Sequence, residues 1–397
     1  MNYQLNHIAE VVNANAPVFS KTTIEHLLLD SRRVYSPATS LFFALKGPRR
    51  NGHQFITELY KRGVKSFVVN EGIDAASFPE AVFLFVNDTL VALQQLASYH
   101  RQQFSIPVIG ITGSNGKTMV KEWLYQLLHE DFNIVRSPKS YNSQIGVPLS
   151  VWQINEHNTL GIFEAGISRP GEMEKLEQII QPNIGVLTNI GEPHSEGFES
   201  PMQKEEEKKK LFRKAIMPAA LKIISINKKV ASTLIIAELD KPDPESMEIE
   251  IPFTDDASVQ NAITCWSVLL HLNISAEVIS GRMKLLQPVN MRLELKKGIN
   301  NCSVINDSYS ADLSSLGIAL NFLYNQSAGT KKTVILSDFL QSGLPDSGLY
   351  KQIASALQNH SINKIIGIGE KISKFLPPAL TSSTGLEEYF PTTEDFI

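Results

Sequence analysis

The chain has 397 residues, a formal net charge of −4 and 43% hydrophobic residues. This length predicts two or three domains, the balanced charge lacks the basic excess of a nucleic-acid binder, and no apolar run is long enough to span a bilayer. The start lacks the basic and apolar regions of an export signal, so we expect a cytoplasmic protein acting on small molecules. Cys265 and Cys302 are too few for a disulfide framework or zinc cage and are expected to be buried.

Short apolar runs alternate with helical patterns in the first quarter of the chain. Strands are predicted at 41–45, 66–69 and 82–86, and helical stretches at about 53–62 and 88–103. This pattern predicts a small α/β domain over residues 1–104.

The same alternation continues through the middle and end of the chain. Strands at 108–111, 132–135, 160–163, 184–187 and 221–226 predict a parallel sheet flanked by helices, in a domain over 105–288 that a helical run at about 258–284 closes. Beyond Pro288, runs at 303–306, 332–336 and 364–368 predict buried strands of a further α/β domain over 289–397. No closing helix is evident there, so we expect this last domain to be incomplete.

The segment 110–118 is the most informative motif. It follows an apolar strand and opens a helical stretch, and its residues suit phosphate binding through backbone amides, the Lys117 ammonium and the Thr118 hydroxyl. The loop residues are Gly113, Ser114, Asn115, Gly116, Lys117 and Thr118. Ile111 stands where the common motif has its first glycine, so the loop is a variant. The segment predicts a site for a nucleoside triphosphate.

Polar residues follow several of the predicted strands. Glu164, the segment 141–146 and the segment 188–194 with His194 all lie where ligands bind in open parallel sheets. Glu164 and Thr118 would supply hard oxygen ligands for magnesium, and His194 could serve a second metal. The alternative is an ordinary solvated glutamate and a surface histidine.

Two charged features have simple structural alternatives. In the run 204–210, the pairs Glu205–Lys209 and Glu206–Lys210 have the i,i+4 spacing of a solvated helix face. Arg292 could reach phosphates held by another domain, or could be a surface charge.

In combination, these segments resemble the Mur ligase family, the ATP-dependent amide-forming enzymes of peptidoglycan precursor synthesis. The resemblance runs over nearly the whole chain and is closest to the members that add D-alanyl-D-alanine to UDP-N-acetylmuramoyl-tripeptide. It implies a UDP-sugar-binding domain, a central P-loop ATPase domain and a Rossmann-like C-terminal domain. The matching segments are 112–118, 120–122, 141–148, 164–172 and 188–198, with 30–34, 41–47 and 51–55 in the first domain.

The resemblance implies roles for single residues. Lys117 and the loop amides would hold ATP, Thr118 and Glu164 a first magnesium ion, and His194 a second. Lys208 matches the lysine that the family carries as a carbamate, which replaces the solvated-face interpretation for that residue alone. The remaining implied contacts are Asn261 to adenine, Asp307 to ribose, Arg292 to phosphates, and Ser31, Arg32 and Asn142 to the UDP-sugar substrate.

Several alternatives stay open at this point. A sibling ligase that adds the third residue, a folylpolyglutamate synthase, a nucleotide- or UDP-sugar-binding module with little turnover, and a P-loop kinase share parts of the pattern. Some family members continue into an alanine racemase domain, so a covalent fusion to such a domain is a further expectation. The family has Asn where Ser310 and Asp312 stand, which concerns adenosine and dipeptide contacts.

Overall fold

The predicted α/β class is confirmed by a computed structural model of the protein, in which parallel sheets are covered by helices. Among the residues that the structure describes, no helix is long and apolar enough to cross a membrane. The structure describes residues 2–15, 20–47, 50–189, 197–239, 245–300, 302–309, 311–326, 331–339, 344–380 and 385–397.

The N-terminal part is built on a four-stranded parallel sheet in the order β3-β4-β5-β6, next to a small antiparallel pair, β1 and β2. Its strands are β1 Tyr3–Gln4, β2 Thr23–Ile24, β3 His26–Leu28, β4 Ser40–Phe43, β5 Ser66–Val69 and β6 Val82–Phe85. Its helices are α1 Leu5–Val11, α2 Ile56–Lys61 and α3 Thr89–Gln102. Both faces of β4 and β5 are buried, as continuous apolar runs predict. The predicted strands and helices are confirmed here.

The central sheet is also parallel, in the order β10-β7-β9-β8. Its strands are β7 Val108–Thr112, β8 Ile134–Arg136, β9 Leu160–Glu164 and β10 Ile184–Leu187. The helices after these strands are α4 Lys117–Leu128, α5 Gly146–Val151, α6 Glu172–Ile180 and α7 Pro201–Lys209. Helix α3 packs against α5 and α6, which joins the N-terminal part to this sheet. The carboxyl ends of β7, β9 and β10 therefore share one edge.

The assignment of 221–226 to the parallel sheet is wrong. β11 Leu221–Lys228, β12 Thr233–Leu239 and β13 Ser246–Ile251 form a separate antiparallel sheet. The connection from β11 to β12 is a short turn, and a parallel neighbour would need a long crossover. The buried side chains of β12 and β13 share a core with α4, α8 Asp256–His271 and α9 Ala276–Met283.

The single helical run predicted at 258–284 is two helices, α8 and α9. Asn273 has a φ of +59° between them. A left-handed residue ends a right-handed helix, and the Ser275 hydroxyl then caps the start of α9 by accepting from the Val278 amide at 3.4 Å.

The C-terminal part has a parallel sheet in the order β16-β17-β18. The predicted buried strand at 303–306 is instead a partly exposed strand of an antiparallel pair. Cys302 is exposed beside it, which corrects the expectation of a buried residue, whereas Cys265 is buried in α8 as expected. The elements are β14 Glu294–Lys297, β15 Ser303–Asn306, α10 Leu313–Gln326, β16 Thr333–Ser337, α11 Asp346–Asn359, β17 Lys364–Ile368, α12 Glu370–Phe375, β18 Leu386–Phe390 and α13 Thr393–Phe396. Short 3-10 turns lie at Pro37–Thr39, Gly52–Phe55, Ala75–Ser77, Lys210–Phe212 and Pro377–Ala379.

Candidate active site

The loop between β7 and α4 needs glycine at two positions. Gly113 has a φ of +151° and Gly116 a φ of +83°, which side-chain-bearing residues rarely adopt. A Cβ atom on Gly113 would lie 2.0 Å from Thr188 Oγ1, and one on Gly116 would lie 2.4 Å from Asn261 Oδ1. The loop is therefore shaped by its close approach to the segment after β10 and to α8, and α4 begins directly after it.

Residues after β10 brace this loop. The amide of Ser114 donates to the Asn189 carbonyl at 2.8 Å, and the amide of Asn115 donates to Asn189 Oδ1 at 2.7 Å. The Thr188 hydroxyl donates to the Asn115 carbonyl. The sequence predicts that the segment 188–194 lies at the ligand-binding edge of the sheet, but it indicates no role for Asn189. His194, in the same segment, lies outside the described residues.

The Lys117 side chain folds back over the loop. Its Nζ donates to the Gly113 carbonyl at 2.8 Å and to the Ser114 carbonyl at 3.0 Å. Burial lowers the pKa of Lys117, and the charges of Arg292 and Lys204 lower it further, while Glu164 opposes the shift. Lys204 is thus a further cation near Lys117, and no sequence motif indicates this position.

Glu164 ends β9 with its side chain fully buried. Its Oε2 accepts from Thr118 Oγ1 at 3.2 Å and from Asn142 Nδ2 at 3.3 Å. Thr118 Oγ1 also lies 2.9 Å from Ser140 Oγ. The structure therefore brings together Thr118, Glu164 and Asn142, as predicted from their positions after strands. These are hard oxygen donors, and magnesium usually takes few protein ligands alongside phosphate oxygens, so the residues fit that ion.

Lys208 is buried at the other side of the loop, with 3% of its surface exposed. Its Nζ donates to Ser114 Oγ at 3.0 Å, and no carboxylate lies within ion-pair distance of it among the residues that the structure describes. Burial, with the nearby charges of Lys117 and Lys204, lowers the pKa of Lys208 to about 6. At pH 7 this lowered pKa favours the neutral amine over the ammonium.

The rest of α7 agrees only partly with a solvated helix face. The Glu205–Lys209 pair is present at 2.6 Å, but Lys210 pairs with Glu207 at 2.5 Å instead of with Glu206. Glu207 is buried, and its Oε1 accepts from the amides of Gly171 at 2.8 Å and Met173 at 3.2 Å. Glu207 thus anchors α7 to the start of α6, because the first amides of a helix lack partners within it.

A cavity of about 440 Å³ opens in front of the loop. Its lining includes Lys117, Thr118 and Asn261 from the central part, and Arg292 and Asp307 from the C-terminal part. The Arg292 guanidinium lies 4.0 Å from the ring centre of Tyr309. Burial raises the pKa of Asp307 to about 6, although the amide of Leu293 donates to it at 3.1 Å. The residues predicted around a nucleotide are therefore gathered in one cavity, whose cations would be neutralised by phosphates.

A second cavity, of about 660 Å³, lies between the N-terminal sheet and the segment before α5. Asp30, Arg33 and Tyr35 line one side, and Ser140 and Tyr141 line the other. Ser140 lines both cavities, so the two adjoin at this residue.

The predicted substrate contacts Ser31 and Arg32 are neighbours of this lining. Ser31 is buried, and the Arg32 guanidinium pairs with Asp30 at 2.8 Å. Asn142, the third predicted substrate contact, lies in the nucleotide cavity beside Glu164.

Residues 111–243 match the model of the Mur ligase middle domain. The UDP-N-acetylmuramoyl-tripeptide–D-alanyl-D-alanine ligase of Bacillus subtilis (strain 168) is 28% identical over 411 aligned residues, which cover 94% of this chain and 86% of that relative. The chain therefore contains a Mur ligase middle domain and is similar to a ligase of this family over nearly its whole length.

Solved structures agree with this Mur ligase fold. MurF from Acinetobacter baumannii has a TM-score of 0.82 at 23% identity, covering 98% of this chain and 90% of that one. The MurF ligase from Thermotoga maritima in complex with ADP has a TM-score of 0.75 at 20% identity, covering 92% and 88%. These two likenesses show that the Mur ligase architecture extends over nearly the whole chain.

Proposed function

We propose that this protein is a Mur ligase that uses ATP to join D-alanyl-D-alanine to UDP-N-acetylmuramoyl-tripeptide. The observation that carries the proposal is the pair of cavities that adjoin at Ser140, one at the phosphate loop and one against the N-terminal sheet. ATP would occupy the first cavity and the UDP-linked peptide the second, so that the terminal carboxylate of the peptide meets the γ-phosphate near Ser140. The name of the Bacillus subtilis relative supports this choice of substrates.

The reaction has two steps. In the first, an oxygen of the peptide carboxylate attacks the γ-phosphorus, and the bond from phosphorus to the bridging oxygen breaks. ADP departs, and the peptide carboxylate has become an acyl phosphate. The neutral amine of D-alanyl-D-alanine then attacks the acyl carbon and loses a proton, and phosphate departs from the tetrahedral intermediate. No enzyme nucleophile is required, because the substrate carboxylate and the amine are themselves the nucleophiles. Lys117 and Arg292 would offset the charge of the transferring phosphoryl group.

Thr118 and Glu164 would hold the first magnesium ion, and His194 and Lys208, the latter as its carbamate, would hold a second. Bound magnesium neutralises phosphate oxygens and polarises the phosphoryl group. The convergence of Thr118 Oγ1 and Glu164 Oε2 at 3.2 Å supports the first assignment. Glu164 faces the loop from β9, while Thr118 presents its hydroxyl from the first turn of α4.

The family resemblance and the burial of Lys208 support a carbamate at this residue. A neutral Nζ can attack the carbon of CO₂ and lose a proton, which turns a buried amine into an anion beside Lys117 and Lys204. Lys208→Ala should lose most turnover with the fold intact, and short carboxylic acids should restore part of it. Full activity of Lys208→Ala in bicarbonate-free buffer would contradict the assignment.

Broader expectations from the sequence remain proposals. We infer a division into 1–104, 105–288 and 289–397, because each range has its own parallel sheet and hydrophobic core. A cytoplasmic site of action follows from the proposed use of ATP and a UDP-linked precursor. Fusion to an alanine racemase domain also stays a prediction. The alignment with the Bacillus subtilis relative concerns the ligase part and does not test it.

The proposal is tested by measuring phosphate release from ATP. Each of the two other substrates is supplied first alone and then together with the other. Release that requires both UDP-N-acetylmuramoyl-tripeptide and D-alanyl-D-alanine is the expected result. Release with the UDP-linked dipeptide and a single diamino acid would indicate the sibling ligase. Tight ATP binding without release under any condition would indicate a binding module.

A further inference from the structure

Lys121 is a buried cation at the candidate active site. It has no role in the reaction described above. It lies one turn after Thr118 in α4, and its side chain is 0% exposed, as is that of Glu164. A buried lysine is costly unless its charge is paired and its protons are bonded. The contacts of Lys121 therefore show how its charge is compensated and which groups it holds in place.

The Lys121 ammonium divides its contacts between Glu164 and the segment before α5. Nζ lies 3.2 Å from Glu164 Oε1 and donates to the Ser137 carbonyl at 2.8 Å. It also donates to the carbonyl of Lys139, a residue with a φ of +50°. Lys121 thus holds a left-handed turn that directly precedes Ser140.

The two oxygens of Glu164 consequently have different partners. Oε1 faces Lys121, and Oε2 faces Thr118 Oγ1 and Asn142 Nδ2. Without the ammonium, the hydrogen bonds of Thr118 and Asn142 to Oε2 would remain, but Oε1 would be free to leave its present direction and the buried charge of Glu164 would lose its ion pair with Lys121.

A chain of charges extends from Lys121 towards the surface. Its Nζ lies 2.9 Å from Glu122 Oε1, and Arg136 Nη2 lies 3.1 Å from Glu122 Oε2. The Arg136 guanidinium in turn lies 3.5 Å from the ring centre of Tyr125. Lys121 is therefore held from both sides, which limits its own movement.

We propose that Lys121 is a positioning residue, which sets the rotation of Glu164 so that Oε2 faces the metal and nucleotide. This inference rests on the proposed function, because it assumes that Glu164 binds magnesium beside ATP. Lys121 touches neither the substrate nor the reacting atoms and acts through Glu164. Removing such an outer partner of a metal ligand typically weakens metal binding about 10- to 100-fold.

The test is the affinity for ADP, measured by calorimetry with EDTA and with magnesium, for the wild type, Lys121→Met and Lys121→Arg. Lys121→Met should lose about tenfold or more of the gain in affinity that magnesium gives, with little change in EDTA. Lys121→Arg keeps the charge but not the compact ammonium, so it should lose less. Lys209→Met is the matched control, because Lys209 pairs with Glu205 on the surface of α7, and it should behave as the wild type.

A second background separates positioning from simple support of the fold. In Glu164→Gln, the further change Lys121→Met should leave the magnesium dependence unchanged, because the carboxylate that Lys121 orients is gone. This double variant removes both buried charges together, so it remains informative if Lys121→Met alone fails to fold.

Three results would overturn the inference. They are an equal loss of affinity in EDTA and in magnesium, a full magnesium effect in Lys121→Met, and an unchanged cost of Lys121→Met in the Glu164→Gln background. A wild type whose ADP affinity ignores magnesium would overturn the metal assignment of the proposed function as well, which distinguishes that failure from failure of the role of Lys121 alone.

Discussion

Replacing Lys208 with methionine should stabilise the unliganded protein while removing its activity. The change keeps much of the side-chain volume and removes an amine that is 3% exposed and lies near the charges of Lys117 and Lys204. A lysine that charges readily in the unfolded chain but resists charging in the fold opposes folding. The cost grows as the pH falls through the range in which the unfolded state is protonated and the folded state is not.

The size of this effect depends on pH in a defined window. Burial lowers the pKa of Lys208 from 10.5 to about 6. The cost is absent above pH 10.5, grows as the pH falls, and is constant below about pH 6, changing by about 1.4 kcal/mol per pH unit in between. At pH 7 the cost is at most about 5 kcal/mol, and each kcal/mol shifts the melting temperature of a domain of this size by about 2–4 °C.

Thermal denaturation followed by circular dichroism in CO₂-depleted buffer measures this effect. Lys208→Met should melt several degrees above the wild type at pH 7, and the difference should shrink at pH 9. The control Lys209→Met, an exposed lysine of the same helix, should show no such trend. Bicarbonate should raise the melting temperature of the wild type only. A difference between Lys208→Met and wild type that is the same at both pH values would refute the reasoning.

Three further predictions concern the loop and its supports. Gly116→Ala should weaken ATP binding strongly, because the left-handed backbone costs about 1–2 kcal/mol and the new Cβ would lie 2.4 Å from Asn261 Oδ1; wild-type affinity in a nucleotide titration would contradict this. Glu207→Ala should lower both the melting temperature and turnover, since α7 loses its bonds to the Gly171 and Met173 amides, whereas the exposed control Glu206→Ala should match the wild type in both. Lys117→Ala should abolish ATP-dependent phosphate release with little change in stability, and unchanged kinetics would refute the role given to the loop.

Local patterns were sufficient to predict the strands that build the nucleotide cavity. The apolar runs of β7, β8 and β9 indicate neighbouring parallel strands, and the polar segments after them must share one edge. Thr118, Glu164 and Asn142 were therefore placed together correctly from the sequence. The predicted strand at 221–226 also exists, but an apolar alternation does not indicate whether the neighbouring strand runs parallel or antiparallel.

Buried charges were the main features that the sequence could not indicate. Lys121 and Glu207 look like ordinary helix-surface residues, because their burial depends on the turn at Lys139 and on the start of α6. The spacing rule paired Glu206 with Lys210, yet Glu207 takes that lysine because it is already fixed by two amides. Asn189 braces the loop through its own carbonyl and side chain, which no spacing along the chain indicates.

The central claim is that ligation proceeds through an acyl phosphate. The most direct measurement uses UDP-N-acetylmuramoyl-tripeptide with ¹⁸O in its terminal carboxylate, together with ATP, magnesium and D-alanyl-D-alanine, and analyses the released phosphate by mass spectrometry. One ¹⁸O atom in each phosphate is the predicted result, because the carboxylate oxygen that attacks phosphorus leaves with it. Phosphate free of the label, with peptide product formed, would contradict the account.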